Sequence, residues 1–317
     1  MYQRLLLTLI PLSFVLHAID VDPRIVFVVS LSAIVPLIEF MGIATERLSK
    51  RLGSVVGGLL NSTLSNAPEL IIGIVALRNG LGRVVKASLT GSIMVNLLVG
   101  LGCALVVGGL KYGLHSFDRR QFRSSGLMLV MCGFCFIVPA VFRIGTPEGT
   151  RDLSLELSAI LLVIYVGNVL ISLFNSQHHV EDATPILNGD KESYSALRSL
   201  AVLGLSGVML AFVSESVTES LIPATRVMGF SDTFSGIVLL GGVGGIGEVL
   251  TAVRFARQGK QELVMAATVG STIQMVLFVA PLLVFTGLFL GQQMNLSFSM
   301  FEVVSIVLSI IIAREII

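Results

Sequence analysis

Hydrophobic residues run along this chain in long stretches that short polar segments separate. The first stretch, Leu5 to Ile19, is shorter than the roughly 20 residues that a helix needs to cross a bilayer. Further apolar stretches cover residues 24–46, 54–78, 84–110, 123–142, 154–174, 195–220, 233–256, 262–289 and 298–313. The pattern predicts an all-α polytopic membrane protein with about ten transmembrane helices.

Composition supports a chain that lies in a lipid bilayer. Hydrophobic residues make up 54% of the sequence, charged residues 13%, and the mean hydropathy is +0.91. A soluble domain carries about 25% charged residues, so this chain cannot cover a water-facing surface of normal size. The net charge is only +1 and no basic run occurs, so we expect no nucleic-acid partner.

One segment of the chain returns after 179 positions without a gap. The third predicted helix holds the first copy and the eighth holds the second; the two are five positions apart in the order of helices, an odd number, so the copies have opposite orientations. The sequence therefore predicts two inverted-topology repeats, a sign of secondary transporters. The matched residues are Glu69 and Glu248, Arg78 and Arg257, Gly80 and Gly259, Ala87 and Ala266, Gly91 and Gly270, and Ser92 and Ser271.

Basic residues indicate how the chain is oriented and divided. With the N-terminus inside, 14 Lys and Arg residues lie on the inner side and 7 on the outer side. The predicted parts are a short first helix (1–23), a first repeat half (24–174, motif helix 54–78), an acidic cytoplasmic linker (175–195) and a second repeat half (196–317, motif helix 233–256). The linker is either a plain solvated connection or an element that attracts cations.

Two carboxylates lie near the middle of predicted spans. Burying a charged residue at the centre of a bilayer costs about 2.5–3.5 kcal/mol on insertion scales, so Glu69 and Glu248 are expected to face a cavity or bind something. Pro68 lacks an N–H donor, and five glycines between 241 and 247 weaken the second motif helix. Broken helices and carboxylates together make a site for a hard cation such as Ca²⁺.

Three amides complete the predicted metal site. Asn66 stands three residues before Glu69 and is expected on the same helix face. Asn96 and Gln274 belong to the helix that follows each motif helix, among small residues suited to close helix packing. Bulky amides need polar partners, so both are candidates for lining the cavity.

The motifs around these residues resemble the two signature repeats of the CAX family of cation/proton exchangers. The first is G-L-L-N-S-T-L-S-N-A-P-E-L-I-I with V-K-A-S-L-T-G-S-I-M-V-N-L-L, and the second is G-E-V-L-T-A-V with V-G-S-T-I-Q-M-V-L-F-V-A-P. The likeness covers about Ile34 to Arg314. It implies a fold of the sodium/calcium-exchanger type and a Ca²⁺/H⁺ antiporter in which Glu69 and Glu248 bind Ca²⁺ or protons.

The chain departs from the family pattern Gly-Asn-x-x-Glu in both repeats. Ser65 replaces the first Gly, and Gly245 stands where the family has Asn. If the missing amide weakens the second half-site, Gly245→Asn should tighten Ca²⁺ binding or alter selectivity against Mn²⁺. The sequence ends at Ile317, where the resemblance implies one more helix, so either the chain is a shortened member of the family or the sequence given is incomplete.

Antiport is the leading functional hypothesis, with Ca²⁺ and H⁺ as the transported partners and no cofactor or catalytic residue. An exchanger for Na⁺, K⁺ or Mn²⁺ is the main rival. A channel would need rings of ligands around a pore, and an enzyme a nucleophile and base, neither of which the sequence offers. The expected location is a cell (inner) membrane in a prokaryote or a vacuolar membrane in a eukaryote, with homo-oligomerisation left open.

Overall fold

A computed structural model describes residues 2–19, 21–51, 57, 63–113, 119–141, 147–178, 196–292 and 294–316. All regular structure in these residues is helical. Helices are numbered in chain order: α1 (Tyr2–Ala18), α2 (Pro23–Arg51), α3 (Ala67–Arg78), α4 (Gly82–Tyr112), α5 (Arg119–Val141), α6 (Pro147–His178), α7 (Ala196–Met228), α8 (Asp232–Gly244), α9 (Ile246–Arg257), α10 (Gln261–Phe289) and α11 (Met300–Ile316).

Within the described ranges, five helices are long and apolar enough to cross a membrane: α2, α4, α6, α7 and α10. The bent pair α8 and α9 makes a sixth if it counts as one span. Large hydrophobic side chains such as Leu110, Val163 and Phe289 are exposed on the outer surface, where lipid would cover them. An all-helical membrane protein is confirmed, while the count of ten spans stays a prediction. Most of the predicted linker, 179–195, lies outside the described residues.

The repeat seen in the sequence is also present in the backbone. Helix α3 begins at Ala67 and α9 at Ile246, a separation of 179 positions, and α4 and α10 begin with the same separation. Gly80 and Gly259, which end the two motif helices, have φ angles of +73° and +72°. A left-handed residue at this point is a usual way to end a helix, and glycine adopts it without strain.

Both motif helices begin at a break in the chain. Asn66 (φ −91°, ψ 9°) and Gly245 (φ −78°, ψ 1°) have almost the same non-helical conformation. Helices α8 and α9 meet at Gly245 with a bend of 44°. Pro68 lies in the first turn of α3, where its missing N–H costs nothing. Asn66 therefore stands at the N-cap of α3, and the expectation that it shares a face of that helix with Glu69 stays a prediction.

Wider π-helical turns interrupt three of the helices next to these breaks. They occupy Val95–Gly100 in α4, Ser235–Leu240 in α8, and both Ala266–Gly270 and Met275–Val279 in α10. A π turn inserts an extra residue and so changes which side chains face a given neighbour, and such turns are frequent at functional sites. Asn96 lies in the first of them.

The first half packs on the second through backbone-to-backbone contact between α4 and α8. A Cβ added at Gly241 would lie 2.6 Å from the Cα of Gly91, and one added at Gly91 would overlap the carbonyl of Ile237. A Cβ at Gly236 would overlap the Cβ of Ala87. The predicted close packing through small residues is confirmed, and it joins the two repeats at the level of the breaks.

Two apolar clusters flank this junction. One lies among α4, α5, α6, α10 and α11 and includes an edge-to-face pair of Phe136 and Phe298 with ring centroids 4.8 Å apart. The other lies among α1, α2 and α7 around Phe27, Ile34 and Leu210. The motif helices contribute to both clusters, through Ala76 and Ala252 in the first and Ile72 in the second, so the apolar packing holds them in place.

Candidate functional site

Glu69 and Glu248 occupy equivalent places at the centre of the molecule. Each lies in the first turn of its motif helix, where the helix dipole favours a negative charge, and each is 7% exposed. Their carboxyl groups interact electrostatically. The Cγ of Glu69 lies 3.6 Å from the position that a Cβ on Gly244 would take, so it reaches the break in the other repeat.

Several oxygens at this place are buried and have no hydrogen-bond partner among the residues that the structure describes. They are both carboxylate oxygens of Glu69, Oε2 of Glu248 and Oδ1 of Asn96. A buried polar atom without a partner costs free energy, and for a charged group the cost is larger. Oxygens of this kind, on residues from both repeats, are ligands for a hard cation or acceptors for a proton.

A chain of hydrogen bonds runs beside the carboxylates and joins the two repeats. The side-chain amide of Asn66 donates to Oε1 of Gln274 at 2.8 Å, and the hydroxyl of Ser271 donates to Oδ1 of Asn66 at 3.1 Å. The amide of Asn96 points to the same hydroxyl at a longer distance of 3.5 Å. Two of the three amides predicted from the sequence thus meet at Ser271, and the third, Gln274, joins them through Asn66, although the three come from separate segments.

The second motif has no counterpart of the amide pair. A shift of 179 positions relates Asn66 to Gly245 and Gln274 to Val95, so a glycine and an apolar side chain replace two amides. Ser92, the counterpart of Ser271, donates instead to the carbonyl of Gly241 at 3.3 Å. The backbone of the site is symmetric and its side chains are not.

A cavity of about 370 Å³ leads to this group of residues. Its inner part is lined by Glu248, Ser271 and Gln274, and it extends between α2 and α9 toward their C-terminal ends. Glu39 and Arg254 line it there, with an oxygen and a nitrogen 3.7 Å apart. Under the orientation that the basic residues predict, this end of the cavity is the cytoplasmic one.

At the opposite end, α3 is joined to α7. The side-chain amide of Asn79 donates to the hydroxyl of Thr218 at 2.7 Å. Arg78 lies 3.8 Å from a carboxylate oxygen of Glu215, a surface pair with little effect on stability. A cavity therefore lies between parts of α2 and α9 on one side, although a Cβ on Gly247 would lie 2.6 Å from Cγ2 of Ile38. On the other side, a hydrogen bond links α3 and α7.

Among the described residues, no group of three or more His, Cys, Asp or Glu side chains could hold a metal ion. The neutral oxygens near the two carboxylates belong to amides, hydroxyls and the backbone. Such a mixed set of oxygen ligands suits a transported ion better than a permanently bound ion.

A third glutamate, Glu302, is also buried, and the sequence analysis did not predict it. Oε2 of Glu302 accepts a hydrogen bond from the backbone N–H of Ser299 at 2.7 Å, and the N–H of Glu302 points to the Ser299 hydroxyl at 3.3 Å. This reciprocal pair is a capping box at the start of α11. The signal S-x-x-E before an apolar run was present in the sequence, and it assigns Glu302 a structural role.

Comparisons with known proteins identify the family and the fold. A Ca(2+)/H(+) antiporter of Aphanothece halophytica is 35% identical over 98% of this chain and 88% of its own length. The Ca(2+)/H(+) antiporter ChaA of Bacillus subtilis (strain 168) is 33% identical over 96% of this chain and 88% of its own. The solved structure of native YfkE superposes with a TM-score of 0.86 at 30% identity, covering 100% of this chain and 91% of that one.

The family model described as sodium/calcium exchanger protein matches residues 24–174 and 198–315, the two halves that the internal repeat defines. The resemblance to cation/proton exchangers that the motifs carried is thereby confirmed. This chain is a multi-pass membrane protein that belongs to the sodium/calcium exchanger protein family.

Proposed function

We propose that this protein exchanges Ca²⁺ for H⁺ across a membrane by alternating access, and that both ions compete for Glu69 and Glu248. The observation that supports this most directly is the set of buried, unpartnered oxygens on the two glutamates. The names of its relatives, Ca²⁺/H⁺ antiporters at about one-third identity, favour the same pair of ions.

The chemistry of the site makes the two occupancies exclusive. Ca²⁺ binds six to eight oxygens, and it requires the glutamates as carboxylates. Without the cation, two close carboxylates repel each other, and protonation removes that repulsion and turns an acceptor into a donor. The site is thus stable with either the cation or the protons bound, but not with both. Coupled exchange requires such alternative occupancy.

The arrangement of the helices supports an inward-facing state. The cavity reaches Glu248 from the predicted cytoplasmic side, while the bond between Asn79 and Thr218 holds α3 against α7 on the other side. In an inverted repeat, the outward-facing state forms when each half adopts the arrangement that the other half has in the inward-facing state, and the site does not move. Opening between α3 and α7, together with closure between α2 and α9, would complete the cycle.

Transport by purified protein in sealed vesicles tests the proposal. We expect Ca²⁺ uptake to follow an imposed pH gradient and to stop when an ionophore collapses that gradient. Uptake driven by a Na⁺ or K⁺ gradient instead would support the rival exchanger, and Ca²⁺ flux with no coupled H⁺ movement would support a channel. Either result would overturn Ca²⁺/H⁺ exchange, as would failure to transport Ca²⁺ under any gradient.

A further inference from the structure

The mouth of the cavity carries a pair of opposite charges, one on each of the helices that border it. Oε1 of Glu39 on α2 lies 3.7 Å from a guanidinium nitrogen of Arg254 on α9, and the two side chains are 25% and 46% exposed. Of the described residues that line this cavity, Arg254 is the only one with a cationic side chain. The pair therefore bridges α2 and α9 at the place where the cavity opens between them.

The repeat identifies the residues that take this place on the closed side of the molecule. The shift of 179 positions also relates α2 to α7, each of which packs against the motif helix of the opposite half. Glu39 then corresponds to Thr218, and Arg254 corresponds to Val75. Thr218 is 3% exposed and Val75 is 8% exposed. Two neutral, buried side chains between α7 and α3 are thus matched by a charged, partly exposed pair between α2 and α9.

Closure of the cytoplasmic side would bury this charged pair. In the outward-facing state of an inverted repeat, α2 and α9 adopt the packing that α7 and α3 have here. Glu39 and Arg254 would then take the buried places that Thr218 and Val75 have in the other half. Removing two charges from water costs free energy that their mutual attraction recovers only in part. Closure of the outer side buries no such pair at these positions.

We propose that the pair of Glu39 and Arg254 holds the cytoplasmic side open and makes the inward-facing state the more stable of the two. The inference rests on the proposed function, because it takes alternating access as given. Both charges act as a unit, since one of them alone would be buried without a partner and would oppose closure more strongly. The pair thus determines the fraction of molecules that face outward, and it does so outside the ion site.

Substitution by the repeat counterparts tests the proposal. Glu39→Thr/Arg254→Val gives the inner side the neutral residues of the outer side, so the outward-facing fraction should increase. Either single substitution leaves one charge to be buried alone, so each should decrease that fraction. The exchanged pair Glu39→Arg/Arg254→Glu should behave like the unmodified protein. Arg257→Val is the matched control, because Arg257 is exposed on the next turn of α9 and does not line the cavity.

Cysteine reporters at two equivalent positions measure access from each side. Gly42 lines the cavity and a Cβ there meets nothing within 4 Å, so Gly42→Cys reports opening to the cytoplasmic side. Its counterpart Leu221 is 1% exposed, so Leu221→Cys should react from outside only when that side opens. Each reporter is placed in a chain whose own three cysteines are replaced by Ala, and is labelled in oriented vesicles with a membrane-impermeant maleimide.

Labelling is measured in alkaline buffer, which keeps carboxylates charged. We expect the Glu39→Thr/Arg254→Val variant to react at position 221 from outside about tenfold faster than the unmodified pair. This is near the low end of the gain from replacing a buried ion pair with neutral side chains. Labelling at position 42 from the cytoplasmic side should become slower. Arg257→Val should change neither rate.

The outcomes separate this inference from the function on which it rests. Faster outside labelling in Arg254→Val alone would overturn it, because the length of Arg254 would then hold the cavity open. Unchanged labelling in the double variant would also overturn it, and Ca²⁺/H⁺ exchange by the same proteins in vesicles would still stand. If position 221 is never labelled while Ca²⁺ uptake proceeds, alternating access by these helices fails together with the inference. Size-exclusion profiles and melting temperatures identify any change that comes from misfolding.

Discussion

The two motif segments, Asn66–Glu69 and Gly245–Glu248, have the same backbone and different side chains. Each segment begins at a residue with ψ near zero and has its glutamate in the first turn of the motif helix that follows. Each motif helix ends at an Arg, 12 residues after the first residue of its segment. Yet the first motif is tied by an amide pair to Gln274, and the second contacts Val95 instead. Duplication has thus kept the break and the carboxylate, while the neutral groups around them have diverged.

The largest expected effect concerns what the motifs share. Glu69→Gln and Glu248→Gln each remove one of two carboxylates that a hard cation needs, so each should abolish Ca²⁺/H⁺ exchange in vesicles under a pH gradient. Equal loss would show that the two repeats contribute equally to the site. Near-normal uptake by either variant would contradict its place there.

Glu302→Gln is the matched control for this pair. Glu302 is also buried, with 6% of its surface exposed, but its carboxylate caps α11. We expect Glu302→Gln to transport normally and to melt at a lower temperature, because a weakened cap costs about 1 kcal/mol. If Glu302→Gln lost exchange but kept its stability, the loss of exchange in the Glu69 and Glu248 variants would not be specific to the glutamates at the breaks.

The second expectation concerns protons, which should act on both motifs at once. If each Ca²⁺ displaces two protons, the apparent dissociation constant should rise by up to about a hundredfold for each unit of pH decrease once both carboxylates are protonated in the empty site. Ca²⁺ titrations of purified protein at several pH values measure the slope. A slope of only about tenfold per unit would assign proton competition to one motif, and no change between about pH 5 and 8 would rule it out.

A third variant makes the two motifs alike. Asn66→Gly gives the first break the residue of the second and removes the partner of both Gln274 and Ser271. We expect Ca²⁺ binding to weaken by about tenfold, since two buried polar groups lose a hydrogen bond. Asn66→Gln, which keeps an amide, should bind more tightly than Asn66→Gly. Unchanged affinity in both variants would mean that the amide pair is not needed for the site.

The smallest expected effect is a decrease in thermal stability, and it should be equal in the two repeats. Gly80 and Gly259 both have left-handed φ angles, so replacement by Ala should destabilise each motif helix by about 1 kcal/mol. A Cβ added at the first would lie 3.8 Å from Oε1 of Gln292, and one added at the second would lie 3.4 Å from the ring of Tyr112, so neither site is strongly crowded. Thermal melts in detergent should therefore show a similar decrease. A change confined to one variant would contradict structural equivalence of the helix ends.

Much of this arrangement could be predicted from the sequence because the repeat carries it. The 179-residue shift, the glycines and Pro68 indicated two breaks and a glutamate beside each. The contact of Asn66 with Gln274 could not be predicted, since it joins opposite repeats and depends on how they pack. The orientation of Asn96 was equally hidden, because a π-helical turn shifts side-chain directions away from the ordinary 3.6-residue period.

The contact between Gly91 and Gly241 restricts the mechanics of the protein. Where Gly91 meets Gly241, backbone touches backbone, so no side chain at that contact can change rotamer to absorb sliding or tilting of α4 against α8. We therefore expect these helices to stay in register throughout a transport cycle and to form a stationary frame around the ion. Displacement falls to α2 and α7, which pack on each other and meet the motif helices through side chains such as Thr218. The ion would then remain still while the two long helices shift past it, exposing first one face of the frame and then the other.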